Sequence, residues 1–203
     1  GRTLNIHVAG CAESHQRLLQ SLDSLTDDQC REPSALPGWT RGHVLSHLAR
    51  NAESHVHVLQ CAVRGEVGEQ YVGGAKARKE GIESHAHDSA ESLVSAVRKS
   101  IYALEGQWAA TNSEGWQGHG VNSAGASIAM SDIVFLRWRE VEVHHADLLL
   151  NFTFSNWNST YVRMELDRQV MMWRASKPMG LTPVPARALQ LSPNERLAWF
   201  LGR

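Results

Sequence analysis

A mainly α-helical fold, built on a four-helix bundle with a crossover between its second and third helices, is what this sequence predicts. Two observations carry that reading. Apolar residues recur at helical spacing over four long stretches, and segments rich in glycine, proline and polar residues separate them. Four such helices bury one apolar stripe each and can build a site from side chains that face inward.

The first helix runs from about Asn5 to Leu25, on Val8, Cys11, Leu18, Leu19, Leu22 and Leu25. The loop Glu32-Pro33-Ser34-Ala35-Leu36-Pro37-Gly38 follows, and Thr40 is placed to cap a second helix that reaches about Arg64. Its stripe is Val44, Leu45, Leu48, Ala52, Val56, Leu59 and Val63. After a loop from Gly65 to Gly74, a short helical piece covers Ala77-Arg78-Lys79-Glu80. The third helix spans Ser89 to Trp108, a hairpin or irregular loop occupies Gly115 to Gly125, and the fourth helix runs from near Ala126 to about Leu150. Residues 1–150 thus read as the bundle, and residues 151–203 as a small α/β appendage packed on it. The appendage holds a helix from about Thr160 to Ser176 and a β-prone piece from Gly180 to Ala188, broken by Pro183 and Pro185. It ends in a short helix capped by Ser192, with Glu195 three residues on.

Composition narrows the partners. Hydrophobic residues make up 42% of the 203, charged residues 20%, and the net charge is −1. No basic block points to nucleic acid or an anionic membrane. No apolar run approaches the roughly 20 residues of a membrane span, and the first residues carry no signal-peptide pattern. Three cysteines, Cys11, Cys30 and Cys61, lack CxxC spacing and fit reduced thiols in a cytoplasm. A monomer or homodimer acting on small molecules is the expectation. The excess lies in 11 histidines and 7 tryptophans, the latter suited to walling a pocket.

The histidines concentrate where chemistry is plausible. Arg139-Glu140-Val141-Glu142-Val143-His144-His145-Ala146-Asp147 sits between the apolar runs Ile133 to Leu136 and Leu148 to Leu150. Charges in such a segment are costly unless paired or bound to a cation. Glu140 and His144, four apart, share a helix face. On the second helix His43, His47, Asn51 and His55 form a polar row at four-residue spacing, either a solvated face or the wall of a site. Spacing leaves His43 or His47, and His144 or His145, as candidate ligands. Position favours His47, deeper in its helix, and the four-residue step favours His144 over His145. Glu142 and Asp147 are then structural or orient the ligands from behind. Two histidines and one carboxylate leave a coordination position open, as a catalytic metal requires.

The stretch Leu36-Pro37-Gly38-Trp39-Thr40-Arg41-Gly42-His43-Val44-Leu45-Ser46-His47-Leu48-Ala49-Arg50-Asn51-Ala52 resembles the helix-two signature of the mycothiol-dependent maleylpyruvate isomerases. These are members of the DinB-like superfamily of metal-binding four-helix bundles. The run Arg139 to Leu148 is similar to that family's helix-four signature. The resemblance implies a zinc ion, or another divalent metal, on His47, Glu140 and His144. It also implies that Arg78 and Arg203 hold substrate carboxylates, while Asn51 and Asp147, beside the ligands in sequence, are expected to support them. The family's appendage is larger than residues 151–203, so the outer pocket wall differs. The thiol is then mycothiol, or ergothioneine or another small thiol.

The implied reaction converts maleylpyruvate to fumarylpyruvate. A metal lowers the pKa of the cofactor thiol, the thiolate adds to the activated double bond, the single bond rotates, and elimination leaves the trans isomer. No protein side chain is expected to act as the nucleophile. Two other readings compete: a thiol S-transferase that detoxifies electrophiles, in which the thiol stays on the product, and a non-catalytic metal-binding stress or interaction module.

Overall fold

The computed structural model of the chain describes residues 1–179 and 182–203. In chain order its elements begin with α1 (Arg2–Leu22), the short α2 (Asp27–Arg31), α3 (Arg41–Val63), α4 (Gly74–His85), α5 (Ala90–Ala110) and the short α6 (Ser113–Gln117). A hairpin of β1 (His119–Val121) and β2 (Ser127–Ala129) leads into α7 (Met130–Asp147). A 3-10 turn at Phe154–Asn156 precedes α8 (Ser159–Arg174), α9 (Ala186–Leu189) and α10 (Pro193–Phe200). Helices α1, α3, α5 and α7 form the bundle: α3 packs on α5 and α7, and α1 on α7 and α5. The crossover from α3 to α5 carries α4, which lies against α3.

Side-chain caps set most helix starts. Thr40 accepts from the backbone N–H of His43, Ser89 from Ser92, and Asn158 from Thr160 and Tyr161, each satisfying a donor the helix leaves open. Ser192 and Glu195 form the reciprocal box expected of them. The helix foreseen over 77–80 is longer, Gly74–His85, starting after Gly73 at φ 95°. Helix α7 starts later than expected because residues 127–129 pair with 119–121, in the register His119↔Ala129 and Val121↔Ser127.

The C-terminus of α7 is fastened from α3. Arg41, itself buried, donates through Nε to the Leu148 carbonyl at 2.6 Å and through Nη2 to that of Leu149 at 3.2 Å. The Ala35 N–H adds a bond to the Asp147 carbonyl at 2.9 Å. These groups satisfy carbonyls that the helix end would otherwise leave open, and a cation there suits the helix dipole.

The core has two apolar layers with a polar layer between them. One layer groups Leu18, Leu45, Leu48, Leu93, Val97, Ile101 and Val141; the other groups Cys11, Ala52, Leu59, Leu104, Ile133, Phe135 and Trp138. Each bundle helix contributes to both, and between them fall His15, Asn51 and Arg137, all buried. At Gly10 a Cβ would stand 2.2 Å from the Trp138 ring, so α1 lies this close to α7 only because that side chain is absent.

The second layer also includes Phe152, Trp157, Tyr161, Val162 and Leu197, so the segment after residue 150 shares its core with the bundle. Arg139 donates to Glu165 of α8 at 2.9 and 2.8 Å, and Trp157 Nε1 donates to the Glu142 carbonyl at 2.7 Å. The β-prone reading of 180–188 is corrected by the residues described there. Residues 182–185 form no strand and 186–189 are helical, while Gly180 and Leu181 lie outside the described residues. Pro183 and Pro185 lack the N–H groups a ladder needs, and Pro185 precedes the first turn of α9. Among the described residues the appendage is therefore helical.

Candidate metal centre

The polar row on α3 does not act as one unit. His55 is buried, and its Nδ1 has no hydrogen-bond partner among the described residues. Asn51 accepts from Arg137 Nη1 at 3.0 Å and makes no hydrogen bond to a candidate ligand among the described residues. In this structure it belongs to the Arg137 network. His43 turns toward α4. Of the row, His47 is the member that meets Glu140 and His144, which the four-residue step stacks on α7.

Those three side chains converge. His47 Nε2 lies 2.7 Å and His144 Nε2 3.0 Å from the same oxygen, Glu140 Oε2. The two imidazoles meet edge to face with centroids 4.9 Å apart. Behind His144, Nδ1 donates to Asp147 Oδ2 at 2.9 Å. Asp147 in turn accepts two bonds from Arg203, at 2.7 Å to Nε and 2.8 Å to Nη2. On the other flank Arg78 Nη2 donates to His47 Nδ1 at 3.4 Å. The result is a continuous chain: Arg78, His47, Glu140, His144, Asp147, Arg203.

Burial and charge follow from that chain. His47 keeps 3% of its side-chain surface and Glu140 keeps 29%, so the shared carboxylate is the accessible member. Burial alone disfavours charge on all three. For His144 it is outweighed by the bonds to Asp147 and Glu140, which raise its pKa to about 9. Burial also works against an ionised Glu140, yet the bonds from His144 and His47 hold its carboxyl well below the ordinary range. Burial leaves His47 below the ordinary range. A proton on His144 thus fills a role that a cation can take over.

Several expected residues have other partners. Arg203 forms a bidentate pair with Asp147, which in turn holds the His144 ring. Arg78 lies on α4, in the helical piece read over 77–80. It lines a cleft of about 240 Å³ with Tyr71, Gln70 and Ser54, and stands between that cleft and His47. His145 stacks on Phe152 at 3.6 Å and bonds to Ser21, away from the trio. Glu142 joins Ser14 of α1 to the backbone N–H of Asn158 and is structural. A larger groove of about 850 Å³ between α8 and α10 is remote from these donors.

Two features escaped the sequence reading. Trp39 packs against His47 at 5.7 Å and against His43 at 6.1 Å, walling both. It stands in the Leu36 to Trp39 motif, but only its position before the helix was readable. Arg137 is fully buried, donating to His15 Nε2 at 3.1 Å and to the Leu48 carbonyl at 2.8 Å. A lone arginine inside the run Ile133 to Trp138 was the available signal.

The donor set fits a divalent transition metal. Two imidazole nitrogens and a carboxylate oxygen lie within 4.8 Å of one another, and one imidazole is oriented by a carboxylate through its other nitrogen.

Comparison with known proteins agrees with this architecture. A crystal structure of the mycothiol-dependent maleylpyruvate isomerase superposes with a TM-score of 0.79 at 24% identity, covering 85% of this chain and 72% of that one. A histidine-to-alanine mutant of the same enzyme gives 0.78 with the same identity and coverage. No curated protein matches. Residues 11–149, which hold all three converging side chains, match the mycothiol maleylpyruvate isomerase N-terminal domain. On that match, the chain belongs to the family of mycothiol maleylpyruvate isomerase N-terminal domains.

Proposed function

We propose that the chain is a metal- and thiol-dependent cis–trans isomerase acting on maleylpyruvate, with His47, Glu140 and His144 holding the metal. The observation that carries this reading is the convergence of both imidazoles on one oxygen of the partly exposed Glu140 side chain, backed by Asp147 and Arg203. Bound there, zinc or another divalent cation would lower the pKa of a small external thiol, whose thiolate can add reversibly to an activated double bond.

The protein's own residues supply the rest. Asp147 fixes the His144 ring, and Arg203 keeps Asp147 charged and in place. Once His47 Nε2 is given over to a cation, the ring proton belongs on Nδ1, which can no longer accept from Arg78. The guanidinium would then be free to turn toward the cleft, where its paired donors would suit a substrate carboxylate. Tyr71, with its ring centroid 5.9 Å from the Arg78 guanidinium, offers that side chain a wall. The thiol comes from outside the chain: all three cysteines are buried, and burial pushes the thiols of Cys11 and Cys30 up. Mycothiol is the first choice by family, with ergothioneine as the alternative. Three reduced cysteines fit a cytoplasmic setting, and no described helix is long and apolar enough to cross a membrane.

The deciding assay incubates zinc-loaded protein with maleylpyruvate and mycothiol, ergothioneine or no thiol. Isomerisation that needs one of the thiols and returns it unchanged is expected. Equal rates without thiol would overturn the cofactor role, and a stable thiol adduct would make the protein an S-transferase instead.

A further inference from the structure

A second His–Glu–His cluster lies one turn earlier on α3. His43 Nε2 is 2.9 Å from Glu83 Oε2, and His87 Nε2 is 3.2 Å from Glu83 Oε1. The two rings stand edge to face with centroids 5.4 Å apart, and the three donor atoms lie within 4.8 Å of one another. No side-chain hydrogen bond joins these residues to the first trio. The cluster joins the N-terminus of α3 to the C-terminal end of α4.

The inner half of this cluster is firmly built. His43 keeps only 9% of its side-chain surface. Trp39 stacks on it with ring planes 19° apart, and Thr40 Oγ1 lies 2.8 Å from Nδ1. That hydroxyl can accept from Nδ1–H, the contact that aims Nε2 of a metal-bound imidazole outward. The backbone of α4 is held close as well. A Cβ on Gly42 would stand 2.1 Å from the Ala86 carbonyl, and Ser46 Oγ donates to the Ile82 carbonyl at 2.8 Å. The outer half is exposed: Glu83 keeps 61% and His87 71% of their side-chain surface.

We infer that His43, Glu83 and His87 form a second binding site for a transition-metal ion, one that pins α4 to α3. Two imidazoles and a carboxylate suit Zn²⁺, Ni²⁺, Cu²⁺ or Co²⁺ and disfavour Mg²⁺ and Ca²⁺, which prefer oxygen donors. The site is weaker than the buried one for two reasons. Among the described residues, no group orients His87 through its second nitrogen, a loss worth about 10–100-fold in affinity. Also, the Thr40 N–H now donates to His43 Nδ1 at 3.2 Å, and the metal-bound tautomer would end that bond. Because α4 carries Arg78, an ion here also steadies the helix that presents that arginine to His47.

The test titrates the metal-free full chain with Zn²⁺, by equilibrium dialysis with elemental analysis. Two equivalents are expected, the second at least ~10-fold weaker. His87→Ala and Glu83→Gln, both at exposed positions, should each remove the weaker equivalent and leave the tighter one, while His85→Ala should leave both. With Ni²⁺ bound, hydrogen exchange across 74–85 should slow in the wild type and not in His87→Ala. A wild type that binds one equivalent, or variants at 83 and 87 that still bind two, would overturn the inference. His144→Ala keeps the reading of the buried centre separate: it should lose the tight equivalent and keep the weak one.

Discussion

Two clusters of the same composition, His–Glu–His, hang from neighbouring turns of α3, and they differ in almost everything except their donors. In the first, the supporting shell is protein: Asp147 holds His144, Arg203 holds Asp147, and the Arg41 cap fixes the end of α7 from which both arise. In the second, only His43 is held, while Glu83 and His87 are open to water. The difference teaches that donor identity does not by itself make a strong site. What lies behind each donor decides how much of the ordering is done before a ligand arrives.

The sharpest way to break the contrast is to remove a donor from the buried cluster. Glu140→Ala or His144→Ala should abolish tight zinc binding and thiol-dependent isomerisation, while His87→Ala leaves the tight zinc site in place. Competition with a chelator reads the affinity, and a tight site that survives Glu140→Ala would refute the assignment.

Acid offers a second test, because buried histidines in this core refuse protons that exposed ones accept. Burial lowers the pKa of His15 to about 4, and that of His55 and His145 to about 3, against an ordinary value of 6.5. Above the ordinary value neither folded nor unfolded chain protonates them, so they impose no pH dependence there. Below it the unfolded chain gains protons that the folded chain does not. Stability should therefore fall as pH drops from about 6.5 toward 4, by about 1.4 kcal/mol per pH unit from each group. Urea unfolding across that range measures the slope, and a flat profile would contradict their neutral burial.

The smallest effect tests the supporting shell alone. Asp147→Asn keeps the shape but removes the charge that orients His144, and should weaken zinc at the buried centre about 10–100-fold. The second site should not respond. An unchanged affinity in chelator competition would show that Asp147 serves only to hold Arg203.

Much of this was legible beforehand. Apolar spacing located the bundle helices, and Thr40, Ser89 and Ser192 marked the starts of α3, α5 and α10, because a cap is a local bond between residues near in sequence. The step from Glu140 to His144 was equally local. What spacing left open was long-range. It could not aim His43 at Glu83, send Asn51 to Arg137, or turn Arg203 onto Asp147, since each pairing depends on how separate helices dock. Nor could periodicity foresee that prolines would keep 182–185 out of a strand.

The Arg41 clamp has a consequence for the order of events in folding. It joins residues 107 and 108 positions apart in sequence, and the contact between His47 and Glu140 spans 93. Contacts that distant close large loops and tend to form late. Metal capture should then come after the rate-limiting step, where a stabilising contact slows unfolding far more than it speeds folding. For this chain the ion would act as a latch on a finished structure, lengthening its lifetime without guiding its assembly.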